Sequence, residues 1–263
     1  MQARGRLAIV AAVLALALAP AAAARTSSAA LRIVDLGKGA AEAWVILPEA
    51  PPHCIVAFVH AAGDPTPAKY LPWLDYLVLG KSCAVVFPRY QAAASGPAPA
   101  ADLRGLRQGM AAGFAFVRKT TFGVGGARAA ASLPVVAAGV AYGGTLALSY
   151  AADAHSWGLP VPAAVDSVFP VAGATTPGVP SGRLAASTRV LIQVGDQDRV
   201  GGKASADSLW SYLASHPAGN KHLQVVHSTG ALQAVQGAPL KTTSAAENTF
   251  WPPLDALIDT ATG

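Results

Sequence analysis

The chain alternates two kinds of apolar pattern. Residues 54–60, 84–87, 134–140, 165–171, 190–194 and 223–226 are short, nearly continuous apolar runs rich in β-branched residues. Such runs read as strands buried on both faces, which is the habit of parallel sheets covered by helices. Between them, apolar residues recur every three or four positions. Trp73, Leu74, Leu77 and Val78 share one side of residues 68–79, and Leu103, Leu106, Met110, Phe114 and Val117 form a stripe along residues 101–119. That spacing predicts helices, and residues 143–152, 204–214 and 248–259 read the same way. Residues 31–36 and 43–47 flank a turn containing Gly37-Lys38-Gly39 and predict an opening antiparallel hairpin. Residues 92–100, 120–133 and 173–182 lack either period and are expected to be loops. Repeated strand–helix units after a hairpin predict a three-layer α/β/α sandwich around a mostly parallel sheet.

The first 24 residues belong to a different pattern. Arg4 and Arg6 precede thirteen uninterrupted apolar residues, 7–19, then Pro20 and Ala22-Ala23-Ala24. This is the layout of a secretory signal peptide with cleavage near Ala24. The apolar run falls short of the ~20 residues that a membrane span needs. The expectation is a signal peptide over 1–24, a single domain over 25–263 with no membrane span, and a mature protein that is periplasmic or secreted.

Composition changes the picture in one respect. Charged residues make up only 13% of the chain against 52% hydrophobic, roughly half the ordinary charged share of ~25%. The excess of 19 bases over 14 acids is scattered along the chain and does not form the cluster that a nucleic-acid surface needs. Cys54 and Cys83 each open a predicted strand. They form a disulfide if those strands are neighbours, and otherwise remain two buried thiols. His53, His60, His155, His216, His222 and His227 are dispersed without zinc-ligand spacing, so no metal is expected. Asp196 and Asp198 are too few oxygens for calcium. Residues 123–126 lack the strand–helix context of a dinucleotide fingerprint, so no cofactor is expected. Trp210, Tyr212 and Trp251 read as packing residues.

One segment carries chemistry. The buried run 135–140 leads through Gly139-Val140-Ala141-Tyr142-Gly143-Gly144 into an Ala/Leu-rich helix. Three further pieces lie in order around it: His60-Ala61-Ala62-Gly63 after one strand, Pro88-Arg89-Tyr90 after the next, and Gly195-Asp196-Gln197-Asp198 after a later one. Together they resemble the α/β-hydrolase fold of serine esterases and lipases, whose nucleophile elbow is G-x-S-x-G between strand and helix. The resemblance spans roughly residues 31–259.

The resemblance implies an elbow with Ala141 where the serine stands, an acid at Asp198 with Asp196 as the lesser choice, and an oxyanion hole from the backbone N–H groups of Tyr142 and Ala61. The pocket would include His60, Ala62, Gly63 and Gly143. The family's histidine is expected in the loop after the last strand, but Gln236 precedes Gly237-Ala238-Pro239. The nearest imidazole is His227, two or three residues early. An alanine cannot attack a carbonyl. The expectation is therefore a vestigial triad, Ala141, Asp198 and His227, in a protein without catalysis that binds a small apolar or ester-like ligand or a partner. The alternative is an active carboxylic-ester hydrolase with another nucleophile. Residues 173–182 are too few for a helical lid.

Overall fold

The computed structural model describes residues 31–92, 96–123, 125–130, 132–173 and 183–263. The expected signal peptide and most of the 173–182 loop lie outside the described residues. The elements run β1 (Arg32–Asp35), β2 (Ala43–Leu47), β3 (Cys54–Val59), a 3-10 turn (Pro67–Lys69), α1 (Leu71–Leu79), β4 (Cys83–Pro88), α2 (Pro99–Lys119), β5 (Thr121–Phe122), β6 (Ala127–Arg128), β7 (Val135–Val140), α3 (Tyr142–Trp157), β8 (Ala164–Val168), β9 (Arg189–Gly195), α4 (Gly202–Tyr212), β10 (Lys221–Val226) and α5 (Ser244–Thr262). Eight strands form one sheet in the order β1-β2-β4-β3-β7-β8-β9-β10. β1 and β2 pair antiparallel, β2 and β4 pair antiparallel, and β4, β3, β7, β8, β9 and β10 pair parallel in that order.

The strands read as doubly buried because helices cover both faces. Along β3, Ile55, Ala57 and Val59 join one core with Leu106, Met110 and Phe114 of α2, Leu146 of α3 and Leu209 of α4. Cys54, Val56 and Phe58 point the other way, among Trp73, Leu74 and Leu77 of α1 and Phe250, Leu254 and Ile258 of α5. The side-chain period of two in a strand feeds both cores from one apolar run. Cys54 and Cys83 face each other across the β3–β4 register, 4.7 Å apart at Cα, and are joined by a disulfide. No helix among the described residues is long and apolar enough to cross a membrane.

Several boundaries differ from the sequence pattern. The expected helix 68–79 divides into the 3-10 turn and α1, because Pro72 enters the helix at its second position. Strand 165–171 stops at Val168, since Phe169 takes a positive φ of 48° and sends its N–H to the Gln193 carbonyl. Within the loop 120–133, β5 and β6 make a two-residue hairpin too short to show a period. α3 runs on to Trp157, where Gly158 closes it in the left-handed conformation. α5 begins earlier than expected because Thr243 caps it by accepting from the Ala246 N–H.

One buried carboxyl interrupts the apolar sheet. Asp166 on β8 is fully buried and accepts from Gln193 Nε2 at 2.9 and 3.2 Å, while Gln193 Oε1 has no hydrogen-bond partner. Burial pushes the Asp166 pKa up to about 7, against the opposing pull of the Gln193 hydrogen bond. The folded value exceeds the unfolded one, so the folded state holds the proton more tightly. The contribution of Asp166 to stability is greatest below about pH 4 and declines as pH rises towards 7. Asp166→Asn removes this titration and offers a donor to Gln193 Oε1. Urea unfolding at pH 5 and pH 8 is expected to show wild-type stability falling between the two. The variant should lose this component and gain on the wild type by roughly 2–4 kcal/mol between the two pH values. Parallel profiles for both proteins would refute the assignment.

Candidate active site of a hydrolase fold

Ala141 sits between the last residue of β7 and the first of α3, at φ 57° and ψ −125°. A non-glycine residue here stores about 1–3 kcal/mol of strain. The position is fixed on both sides: its N–H donates to the Val168 carbonyl at 3.0 Å, and its own carbonyl accepts from Gly144 at 3.0 Å and Val171 at 3.2 Å. The glycines around it are required by contact. A Cβ on Gly139 would collide with the Gly143 carbonyl, and one on Gly143 with the carbonyls of Val59 and His60. The turn is thus a complete nucleophile elbow that presents a methyl group.

Tyr142 is the first residue of α3, so its N–H has no partner within the helix. Its side chain turns inward, 2% exposed, and its hydroxyl donates to Asp102 Oδ2 at 3.0 Å. Burial and the Asp102 charge hold the phenol protonated, well above its ordinary pKa. The phenol is buried and committed to Asp102.

The second expected oxyanion donor is engaged elsewhere. The Ala61 N–H donates to the Tyr70 hydroxyl at 2.8 Å, and the Gly63 N–H donates to Gln91 Oε1 at 2.9 Å. The sequence reading left both Tyr142 and Ala61 open to a ligand. The structure leaves Tyr142 unpartnered within its helix and engages Ala61 with Tyr70, the residue between the 3-10 turn and α1. His60 is buried between the Ala61 carbonyl, 2.7 Å from Nδ1, and the Arg89 carbonyl, 2.6 Å from Nε2. A neutral ring donates to one of these at a time. Burial drives its pKa down to about 4 despite both carbonyls, so the ring is neutral at physiological pH. It stacks on Tyr90 at 4.0 Å between ring centroids, and the Tyr90 hydroxyl donates to the His60 carbonyl. His60 is a pillar for the loop that carries Ala61, Ala62 and Gly63.

The acid and the base positions part company. Asp198 is buried, and its carboxylate accepts from the N–H groups of Val200 at 3.0 Å and Gly202 at 2.9 Å. It holds the start of α4, where a negative charge is favourable. His227 lies apart from it: the side chain is 77% exposed and pairs with Asp196 at 3.5 Å. The Asp196 carboxylate is drawn below its usual range by hydrogen bonds from the Ser228 hydroxyl and N–H, and by His227.

The residue that does share a cavity with Asp198 is Gln236. Both line a space of about 360 Å³ with Val200, Val235 and Gly237. Gln236 Nε2 donates to the Phe169 carbonyl at 2.9 Å, beside the strand end that hydrogen-bonds Ala141. Because that carbonyl only accepts, the amide orientation is fixed, and Gln236 Oε1 is left buried without a partner. The link between this space and the elbow is the Gln236–Phe169 hydrogen bond, one residue after Val168, whose carbonyl accepts from the Ala141 N–H. The sequence signal for Gln236 was its place before Gly237-Ala238-Pro239. For Tyr70 over Ala61 there was none.

Solved structures superpose on most of this chain. Carboxyl esterase 2 from Tuber melanosporum superposes with a TM-score of 0.61 at 14% identity, covering 90% of this chain and 88% of that one. Esterase LipW from Mycobacterium marinum gives 0.58 at 20% identity, covering 89% and 82%.

The chain has the α/β-hydrolase fold.

A serine-to-alanine mutant of the esterase rPPE, solved in complex with (S)-Ac-CPA, gives a TM-score of 0.57 at 14% identity over 89% of this chain and 84% of that one. No protein-family model matches the chain, and no curated protein matches it in sequence. Likeness at these identities speaks for the hydrolase fold alone. Activity must be argued from the residues at the elbow.

Proposed function

We propose that this protein is an exported, non-catalytic α/β-hydrolase-fold protein that binds a small apolar or ester-like ligand beside the elbow. The observation that carries the reading is Ala141, a methyl group on a fully formed elbow. Without a hydroxyl there, no acyl intermediate forms by the serine route. Three points support it. Asp198 is committed to α4, and the residue that shares its cavity is Gln236, which is not a base. The buried Gln236 Oε1 without a partner gives a ligand hydroxyl or amide something to donate to. The rPPE serine-to-alanine mutant, of the same fold, holds a ligand. Export is part of the proposal, and the buried Cys54–Cys83 disulfide, of the kind that persists in oxidising compartments, supports it.

The test uses the mature chain, a fluorophosphonate probe for serine hydrolases and short-chain nitrophenyl esters. No covalent label and no turnover above background are expected. A thermal-shift screen of small esters, alcohols and carboxylic acids is expected to raise the melting temperature with at least one of them. Labelling that survives denaturation would overturn the reading in favour of an active ester hydrolase.

A further inference from the structure

A second cavity lies at the opposite end of the sheet from the elbow. α5 packs chiefly on β7 and β8, and β10, the edge strand, is only partly buried where β3 and β7 are wholly so. Between α5 and the first residues of β9 and β10 this leaves a groove of about 520 Å³. A smaller space of about 190 Å³ adjoins it and shares Arg189 and Leu257. The floor is apolar, with Leu191, Pro253, Ala256 and Leu257, and the polar rim holds Arg189 and His222.

The charges on this rim are one-sided. Neither cavity is lined by a carboxylate. Two acids of α5 are engaged by α1 and the turn after it: Asp255 accepts from the Tyr76 hydroxyl, and Asp259 pairs with Lys81 at 2.6 Å. Lys221 also lines the groove, but its ammonium donates to the Leu213 carbonyl at 2.5 Å and lies over the Trp210 ring. Arg189 makes no ion pair among the described residues. A guanidinium keeps its charge and offers a planar fork that matches a carboxylate. The apolar floor beside it favours whatever covers it with hydrocarbon. One cation on an apolar groove does not suit a polyanion, which needs several.

We propose that this groove binds a small amphipathic monocarboxylate, with the carboxylate on Arg189 and the alkyl chain along Leu191, Pro253, Ala256 and Leu257. The site is separate from the elbow and does not depend on the function proposed for it. Isothermal titration of the mature protein with decanoate, below its micelle concentration, is expected to saturate. Decanol, the uncharged counterpart, is expected to bind at least about tenfold more weakly, and so is decanoate to Arg189→Gln. Leu257→Trp, which fills the groove, is expected to abolish binding, and Arg199→Gln, in the cavity that Asp198 and Gln236 line, to leave it unchanged. Absence of saturable binding would overturn the proposal, as would equal affinity for decanol. Weakening by Arg199→Gln but not by Arg189→Gln would place the ligand in the Asp198 cavity instead. Should Leu257→Trp fail to fold, the comparison of Arg189→Gln with Arg199→Gln decides alone.

Discussion

Ala141→Ser alone is expected to leave the protein inert toward nitrophenyl esters, within a few-fold of background. The new hydroxyl would sit on a correctly strained elbow, but nothing would take its proton. His227 is turned to solvent beside Asp196, and Gln236 is not a base. An unactivated serine is a weak nucleophile at neutral pH. Adding Gln236→His places an imidazole in the cavity that Asp198 lines, and a positioned general base contributes about 10²–10⁴-fold. The double variant is therefore expected to rise clearly above background in initial rate and to label with fluorophosphonate. A third change, Tyr70→Phe, releases the Ala61 N–H from its 2.8 Å hydrogen bond. It is expected to add about tenfold or more, since removing one such donor from a working oxyanion hole costs about 10²–10³. Robust turnover from Ala141→Ser by itself would show that His227 does reach the elbow. A silent triple variant would show that the cavity, and not only its side chains, has departed from an esterase site.

The second large effect concerns the disulfide. Cys54 and Cys83 close a separation of 29 residues and join β3 to β4 at the start of both strands. The chain-entropy account of a loop this size gives about 3–4 kcal/mol, drawn from the unfolded state. That is a large share of the ~5–15 kcal/mol that holds a typical domain. Cys54→Ala/Cys83→Ala, or the wild type under reductant, is expected to unfold at markedly lower denaturant concentration with a somewhat steeper slope, since the unfolded chain is freed to expand. Both sulfurs are fully buried, so the reductant arm requires prolonged incubation. Coincident unfolding curves with and without the bridge would contradict the argument.

The sequence made the sheet legible because each interior strand is apolar on both faces, and residues 190–194 and 135–140 could be little else. It also made the elbow legible, since contact demands Gly139 and Gly143 whatever stands at 141. Other features lay beyond it for identifiable reasons. β5 and β6 are two residues each, below any period. The early stop of β8 comes from the conformation of Phe169, which no residue type enforces. Around the site, Ala141 and Gln236 stood out by position within motifs. The fate of Ala61 depended on Tyr70, nine residues away on a separate turn, and only the folded chain brings that hydroxyl to the N–H. Asp198 matched a catalytic acid in sequence, while its bonds to Val200 and Gly202 show a residue that α4 needs in any case.

The elbow is held by its neighbours and not by its side chain. The Val168, Gly144 and Val171 hydrogen bonds fix Ala141 from the backbone, so any small residue placed there points the same way. The sequence contains only two cysteines, and both are bonded to each other. Ala141→Cys would thus be the sole free thiol of the protein, held in one orientation on the elbow. It offers a single defined attachment point for a fluorophore or spin label, through which occupancy of the site can be read without knowing in advance what occupies it.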